Sequence, residues 1–129
     1  MAILGLGVDL VEVNRFEKVS SRFLERVFTQ GELEYARQSK TPAQVLAARF
    51  AAKEAVIKAF GWRLFGQALS EIEVKKTDSG KPHIELSGKA KAKAENLGAR
   101  RILLSMSHTQ AMAIAEVIVL GGEEDESGL

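Results

Sequence analysis

The sequence predicts an α+β domain with one sheet and one dominant helix. One long stretch with helical periodicity is bounded by Thr41-Pro42 and Gly61. Two apolar segments near the C-terminus, Ile102 to Ser107 and Met112 to Leu120, meet at His108-Thr109-Gln110 as a hairpin would. Between these lies a short alternating stretch, Ser70 to Lys76, with Ile72 and Val74 set against Glu71, Glu73 and Lys75.

The elements follow in chain order. Ile3 to Val8 is apolar with two glycines, too short for a helix, and reads as a buried strand ending at Asp9. From Asn14 to about Phe28, Phe16, Val19, Phe23 and Val27 recur at helical spacing, accompanied by a basic stripe of Arg15, Lys18, Arg22 and Arg26. Gln30-Gly31 breaks that segment, and Glu32 to Gln38 predicts another short helix. Thr41 as N-cap, Pro42 in the first turn and Gly61 after the last periodic residue delimit the main helix at roughly 42 to 60. Trp62 to Ala68 reads as an irregular loop. Asp78 to Pro82 is a turn, His83 to Leu86 a short returning strand, and Gly88 to Leu97 a lysine-bearing helix closed by Gly98. No internal repeat or linker is visible, so residues 1–120 form one domain and 121–129 a tail.

Composition narrows the function classes. The formal charge of +1 hides an asymmetry, because Glu123, Glu124, Asp125 and Glu126 sit together in a tail with no Lys or Arg. Without those four acids, 18 basic residues face 13 acidic ones and the body stands near +5. The tail reads as flexible and solubilising, and the body mildly favours acidic partners. With no cysteine there is no disulfide, thiolate nucleophile or cysteine zinc site. The apolar start, Met1 to Gly7, meets Asp9 and Glu12 at once without a basic leader and so does not read as a signal peptide. No window approaches the ~20 apolar residues of a membrane span, and a cytoplasmic location is expected.

The chemistry concentrates on the main helix. At about 100° per residue, Leu46, Phe50, Ile57 and Phe60 share a face that Val45 and Val56 extend. Lys53 falls in the middle of that arc, Arg49 lies within it, and Glu54 and Lys58 border its other edge. Charges in an apolar arc either snorkel outward as long side chains or serve a ligand. Asp9 at a strand end and Glu54 on the overlying helix are the candidate metal ligands, an oxygen pair with open positions that suits Mg²⁺ completed by substrate phosphates. Arg49, Lys53 and Lys58 would then be the cations expected around a metal diphosphate. Each acid also has an ordinary reading, Asp9 as a turn or cap residue and Glu54 as an ion-pair partner. Ser105-Met106-Ser107-His108 brings hydroxyls and an imidazole to a strand end, and Gly80-Lys81-Pro82 puts a lysine on a rigid turn. Gly5 and Gly7 lack the Gly-Lys-Ser/Thr ending of a phosphate loop. The stripe of Arg15, Lys18, Arg22 and Arg26 beside Phe23 and Val19 is either a solvated face or a dock for an acidic helix.

Gly7-Val8-Asp9, the run from Phe50 to Ala59 with its Lys-Glu-Ala-x-x-Lys core, and Gly80-Lys81-Pro82, in this order, resemble the holo-acyl-carrier-protein synthases, the short type of 4′-phosphopantetheinyl transferase. The similarity covers essentially residues 2 to 120. It implies the transferase fold, with a mainly antiparallel sheet packed on the long helix, and a homotrimer with active sites at subunit interfaces. It implies transfer of phosphopantetheine from coenzyme A to a serine of apo acyl carrier protein, releasing adenosine 3′,5′-bisphosphate. By the same resemblance Asp9 and Glu54 hold magnesium, Glu54 and Lys58 act in catalysis, and Lys58 meets the diphosphate. Arg49 and His108 then contact the adenosine 3′-phosphate end, Gly61, Lys81, Pro82 and Thr109 line the pocket, and Arg15, Arg22, Phe23 and Arg26 dock the carrier. The rival reading is a small nucleic-acid-binding or ribosome-associated module using the basic stripe and Lys89 to Lys93. With one Tyr and one Trp, it lacks the aromatic platform that single strands require. A catalytically silent coenzyme A sensor is a third reading.

Overall fold

The structure is a computed structural model of the chain, describing residues 1–63 and 68–122. Strand β1 (Ala2–Glu12) leads through a 3-10 turn at Val13–Phe16 to helices α1 (Ser21–Val27), α2 (Gln30–Arg37) and α3 (Pro42–Phe60). A second 3-10 turn at Leu69–Glu71 precedes β2 (Ile72–Lys76) and β3 (Pro82–Leu86), followed by α4 (Gly88–Asn96), β4 (Ala99–His108) and β5 (Met112–Gly121). The α+β class is as expected, but the described residues form two sheets rather than one, and β1 runs on to Glu12 with one face exposed, so Asp9 lies within the strand rather than at its end. β1, β5 and β4 form an antiparallel three-stranded sheet in that order, while β2 and β3, among the described residues, pair only with each other.

Helix α3 keeps the expected bounds for local reasons. Pro42 opens its first turn, and Gly61 closes it in the left-handed region at φ 70°, where a residue without Cβ is unstrained. Thr41 stands at the N-cap but its side chain makes no capping hydrogen bond. The helix expected over 14–28 is instead two pieces. Ser20 adopts extended backbone and its hydroxyl accepts from the Phe23 amide, starting α1 afresh. Arg15 therefore lies on the 3-10 turn, off the helix that carries Arg22 and Arg26. The loop expected at Trp62 to Ala68 lies partly outside the described residues.

Packing of β1 on α3 sets the spacing of the domain. The inward face of β1 presents Gly5, Gly7, Asp9 and Val11, the members of the ladder opposite Val119, Val117, Ala115 and Ala113 of β5. A Cβ built on Gly5 would lie 1.8 Å from the Ala59 carbonyl oxygen, and one on Gly7 2.0 Å from that of Ala55. Only glycine permits strand and helix backbones to come this close. The helix answers with Ala47, Ala51, Ala52 and Ala55, all fully buried. Beside this layer Phe16, Phe23 and Phe50 form a ring cluster with centroids 5.4 to 6.3 Å apart, joined by Phe28 at 6.2 Å from Phe16.

A methyl at position 7 must push α3 away from β1. Gly7→Ala is expected to destabilise the fold by at least the ~1–3 kcal/mol typical of overpacking. The urea midpoint measures it, and an unchanged midpoint would mean that the two backbones are not in contact.

Candidate active site

The register of β1 decides where Asp9 points. It shares the inward parity of Gly7 and Val11, so its carboxylate faces α3 rather than the outer surface of the sheet. There Lys58 Nζ donates to Asp9 Oδ1 at 2.9 Å and to the Val8 carbonyl at 3.0 Å. The pair is half open to solvent on the lysine side, with relative exposures of 50% and 16% for the two side chains. Glu54, one turn before Lys58, is half-buried beside them. Burial pushes its carboxyl above the usual glutamate range, and the Asp9 charge adds to the rise, while Lys58 and Arg15 oppose it. Two carboxylates that repel each other in a partly desolvated notch, with one ammonium at their edge, form a charge arrangement that a divalent cation would relieve. The donor set, hard oxygens with room for further ligands, fits Mg²⁺. Among the described residues no group of three or more His, Cys, Asp or Glu could enclose a metal, so substrate and solvent oxygens would have to complete the shell.

The other two charges of the helix do not join this group. Lys53 is fully buried, and its ammonium pairs with Glu32 Oε1 at 2.7 Å and donates to the carbonyls of Leu69 and Ile72. Burial lowers its pKa and Glu32 opposes that fall. It neither snorkels outward nor faces a substrate, which corrects the expectation that it belongs to a metal-diphosphate cluster. Arg49 is 3% exposed, with its guanidinium 4.3 Å from the centre of the Tyr35 ring. Burial lowers its pKa, and its Nε has no hydrogen-bond partner among the described residues. Lys76 approaches the same ring at 4.8 Å, and its hydrogen bond draws the Tyr35 phenol below its ordinary pKa. Thus α3 sends Glu54 and Lys58 towards β1, and Arg49 and Lys53 towards α2 and the hairpin.

The remaining expected residues are spread around the fold. His108 ends β4 opposite Ala113, and Thr109 forms the following turn, its hydroxyl accepting from the amides of Ala111 and Met112. The Ala111 carbonyl accepts from the Val13 amide at 2.9 Å, so this turn and the end of β1 lie together. Gly61 serves as the stop of α3. Lys81 and Pro82 sit at the hairpin turn, where the Lys81 carbonyl accepts from the Thr77 amide. Arg15, Arg22 and Arg26 are exposed, whereas Phe23 is half-buried against Phe16 and Phe50. Sequence reasoning overlooked Glu32 and Tyr35. The first had a readable signal, since Thr29-x-x-Glu32 is a capping box, realised here in both directions.

Residues 5–115 match the model of the 4′-phosphopantetheinyl transferase superfamily. The chain belongs to that family. A holo-[acyl-carrier-protein] synthase of Clostridium acetobutylicum is 42% identical over 120 residues, covering 91% of this chain and 97% of its own. A solved holo-(acyl-carrier-protein) synthase of Bacillus anthracis, in complex with CoA (3′,5′-ADP), superposes with a TM-score of 0.76 at 33% identity, covering 93% of this chain and 98% of its own. The synthase of Neisseria meningitidis reaches a TM-score of 0.83 at 31% identity, covering 92% and 99%. These relatives place the chain among the synthases of the family and do not favour the nucleic-acid-binding alternative.

The raised pKa of Glu54 has a sign that stability measurements can read. An acid whose folded pKa exceeds its unfolded one destabilises the fold once it ionises, and the effect disappears below the unfolded value. In metal-free protein, Glu54→Gln is therefore expected to raise the melting temperature at pH 8, with the gain vanishing as the pH falls below the ordinary glutamate range. A gain independent of pH would assign the effect to packing instead.

Proposed function

We propose that this protein is a magnesium-dependent holo-acyl-carrier-protein synthase, transferring phosphopantetheine from coenzyme A to a serine of apo acyl carrier protein. The observation that carries the reading is the convergence of Asp9, Glu54 and Lys58, residues from strand β1 and helix α3, at one half-exposed notch. The Bacillus anthracis relative, solved with CoA (3′,5′-ADP), supplies the ligand chemistry that such a notch would serve.

In this reading Asp9 and Glu54 would hold Mg²⁺, whose charge would offset that of the coenzyme A diphosphate and favour departure of the bisphosphate. The carrier serine oxygen bonds to the phosphorus that bears pantetheine, and the bond from that phosphorus to the adenosine bisphosphate breaks. Glu54, or a solvent molecule beside it, takes the serine proton. Lys58 holds its positive charge against the leaving oxygen and supplies a proton to it. His108 contacts the adenosine 3′-phosphate end, and Gly61, Lys81, Pro82 and Thr109 line the pocket. Coenzyme A and the carrier are solutes of the cytoplasm, where the enzyme would act.

Assembly belongs to the same proposal. The outer face of the three-stranded sheet carries Leu6 and Leu10 at 62% exposure and Val8 at 51%, beside Leu103 and Ile114. An exposed, largely apolar face of this kind, with Glu116 at its centre opposite Val8, marks an interaction surface, and a homotrimer of the synthase type would cover it. The exposed arginines 15, 22 and 26, with the free edge of Phe23, form the dock for the acidic carrier. No helix among the described residues is long and apolar enough to cross a membrane.

Apo carrier protein incubated with enzyme, coenzyme A and Mg²⁺ should gain the phosphopantetheine mass by mass spectrometry. Asp9→Asn and Glu54→Gln should each reduce that transfer by at least ~10³-fold, on the scale of losing transition-state charge stabilisation; full activity in either would remove the metal assignment. Arg22→Glu should raise the KM for carrier at low salt with kcat nearly unchanged, and an unchanged KM would remove the dock. Leu6→Glu with Leu10→Glu should yield monomers by sedimentation, whereas assembly of the charged variant would place the subunit contact elsewhere.

A further inference from the structure

The buried pair of Glu32 and Lys53 lies outside the chemistry above, yet every polar atom of it is committed. The lysine ammonium has three hydrogens to donate and three partners: Glu32 Oε1, the Leu69 carbonyl and the Ile72 carbonyl. Glu32 Oε1 also accepts from the Thr29 amide at 2.9 Å, and Oε2 accepts from the Val74 amide at 2.9 Å.

The two β2 atoms in that group share a geometry. Residues 72 and 74 point their backbone polar groups to the same edge of the strand. Among the described residues the hairpin is a two-stranded sheet in which β2 pairs with β3 alone. Its other edge faces the interior, where an unpaired amide or carbonyl would be costly. Glu32 and Lys53 stand where a third strand would be, the carboxylate receiving the Val74 amide and the ammonium serving the Ile72 carbonyl. A second tie runs parallel to the first, as Thr29 Oγ1 donates to Glu73 Oε2 at 2.8 Å.

An isolated hairpin of this size is marginal in water, so its orientation depends on what grips its edge. Buried ion pairs seldom stabilise a fold more than apolar side chains of similar volume, and fixing one geometry is a role that some of them serve. The helical residue that follows Lys53 is Glu54, so the same turn of α3 grips the hairpin on one face and presents the proposed metal ligand on another.

We propose that Glu32, acting through Lys53, is a positioning residue for coenzyme A. The pair locks the hairpin, with Lys81 and Pro82 at its turn, in register with the helix that bears Glu54 and Lys58. This inference rests on the transferase reading. It assigns coenzyme A affinity to a residue that touches no substrate, and it separates that affinity from carrier docking, which belongs to the surface around α1.

The test compares wild type, Glu32→Gln and the double variant Glu32→Leu with Lys53→Met, which removes both charges while keeping an apolar fill. Melting temperature, coenzyme A affinity by calorimetry, and separate KM values for coenzyme A and carrier are measured on each full chain. The double variant should melt near wild type, yet bind coenzyme A roughly tenfold or more weakly, the scale on which a small displacement of a positioned group acts. Its KM for carrier should stay within about twofold of wild type, a change too small to indicate a lost contact. Should the double variant fail to fold, Glu32→Gln carries the same comparison. Unchanged affinity for coenzyme A, or equal rises in both KM values, overturns the inference. Absence of transfer by the wild type overturns the transferase reading first, and this inference with it.

Discussion

The contact between the backbones of β1 and α3 is the constraint on which the rest of the molecule depends. Where a side chain would stand at Gly5 and Gly7, the structure has the carbonyl oxygens of Ala59 and Ala55. This close approach lets Lys58, on a helix, reach the Val8 carbonyl and the Asp9 carboxylate, on a strand. It also forces α3 to be small where it touches the sheet, which is why the helix is rich in alanine yet almost wholly buried. With larger side chains between the layers, both layers would still form, but Asp9 and Glu54 would no longer face one notch.

The second organising feature is the division of charge around α3. A helix buried on most of its circumference gives each charged side chain a different neighbour, and here the neighbours differ in kind. Towards β1, Glu54 and Lys58 remain partly open to water. Towards α2 and β2, Lys53 is sealed with Glu32, and Arg49 is laid on Tyr35. The open side keeps two acids close enough for the Asp9 charge to raise the carboxyl of Glu54, a rise that Lys58 and Arg15 oppose, which is the kind of perturbation found at functional sites. On the closed side the charge of Lys53 is matched by hydrogen bonds that hold the small sheet in place.

Much of this was legible in the sequence, and the failures have physical causes. The bounds of α3 followed from Pro42 and Gly61, because start and stop chemistry is local. The strands β4 and β5 and their turn at 108 to 110 followed from the apolar runs for the same reason. Asp9 and Glu54 were picked out together as oxygen ligands, and the fold brings them close enough to raise the carboxyl of Glu54. The break before Ser21 was hidden, because apolar spacing ran through it, although Ser20 was available as a cap. The separate second sheet was hidden too, since alternation marks a strand without naming its partner. The role of Lys53 was misread for a related reason. Periodicity told which face of the helix it occupies but not that Glu32 waits there. Gly5 and Gly7 were placed in a strand and set aside as a phosphate loop, without the sign that their task is to let two backbones touch.

The central claim is that one divalent cation is held jointly by Asp9 and Glu54. Titration with Mn²⁺ in the presence of coenzyme A, followed by electron paramagnetic resonance, measures this without relying on turnover. The account predicts one tight site per chain in the wild type, weakened by at least ~100-fold in both Asp9→Asn and Glu54→Gln, as expected when a direct ligand is removed, with the circular dichroism unchanged. Equal binding by wild type and both variants would contradict it.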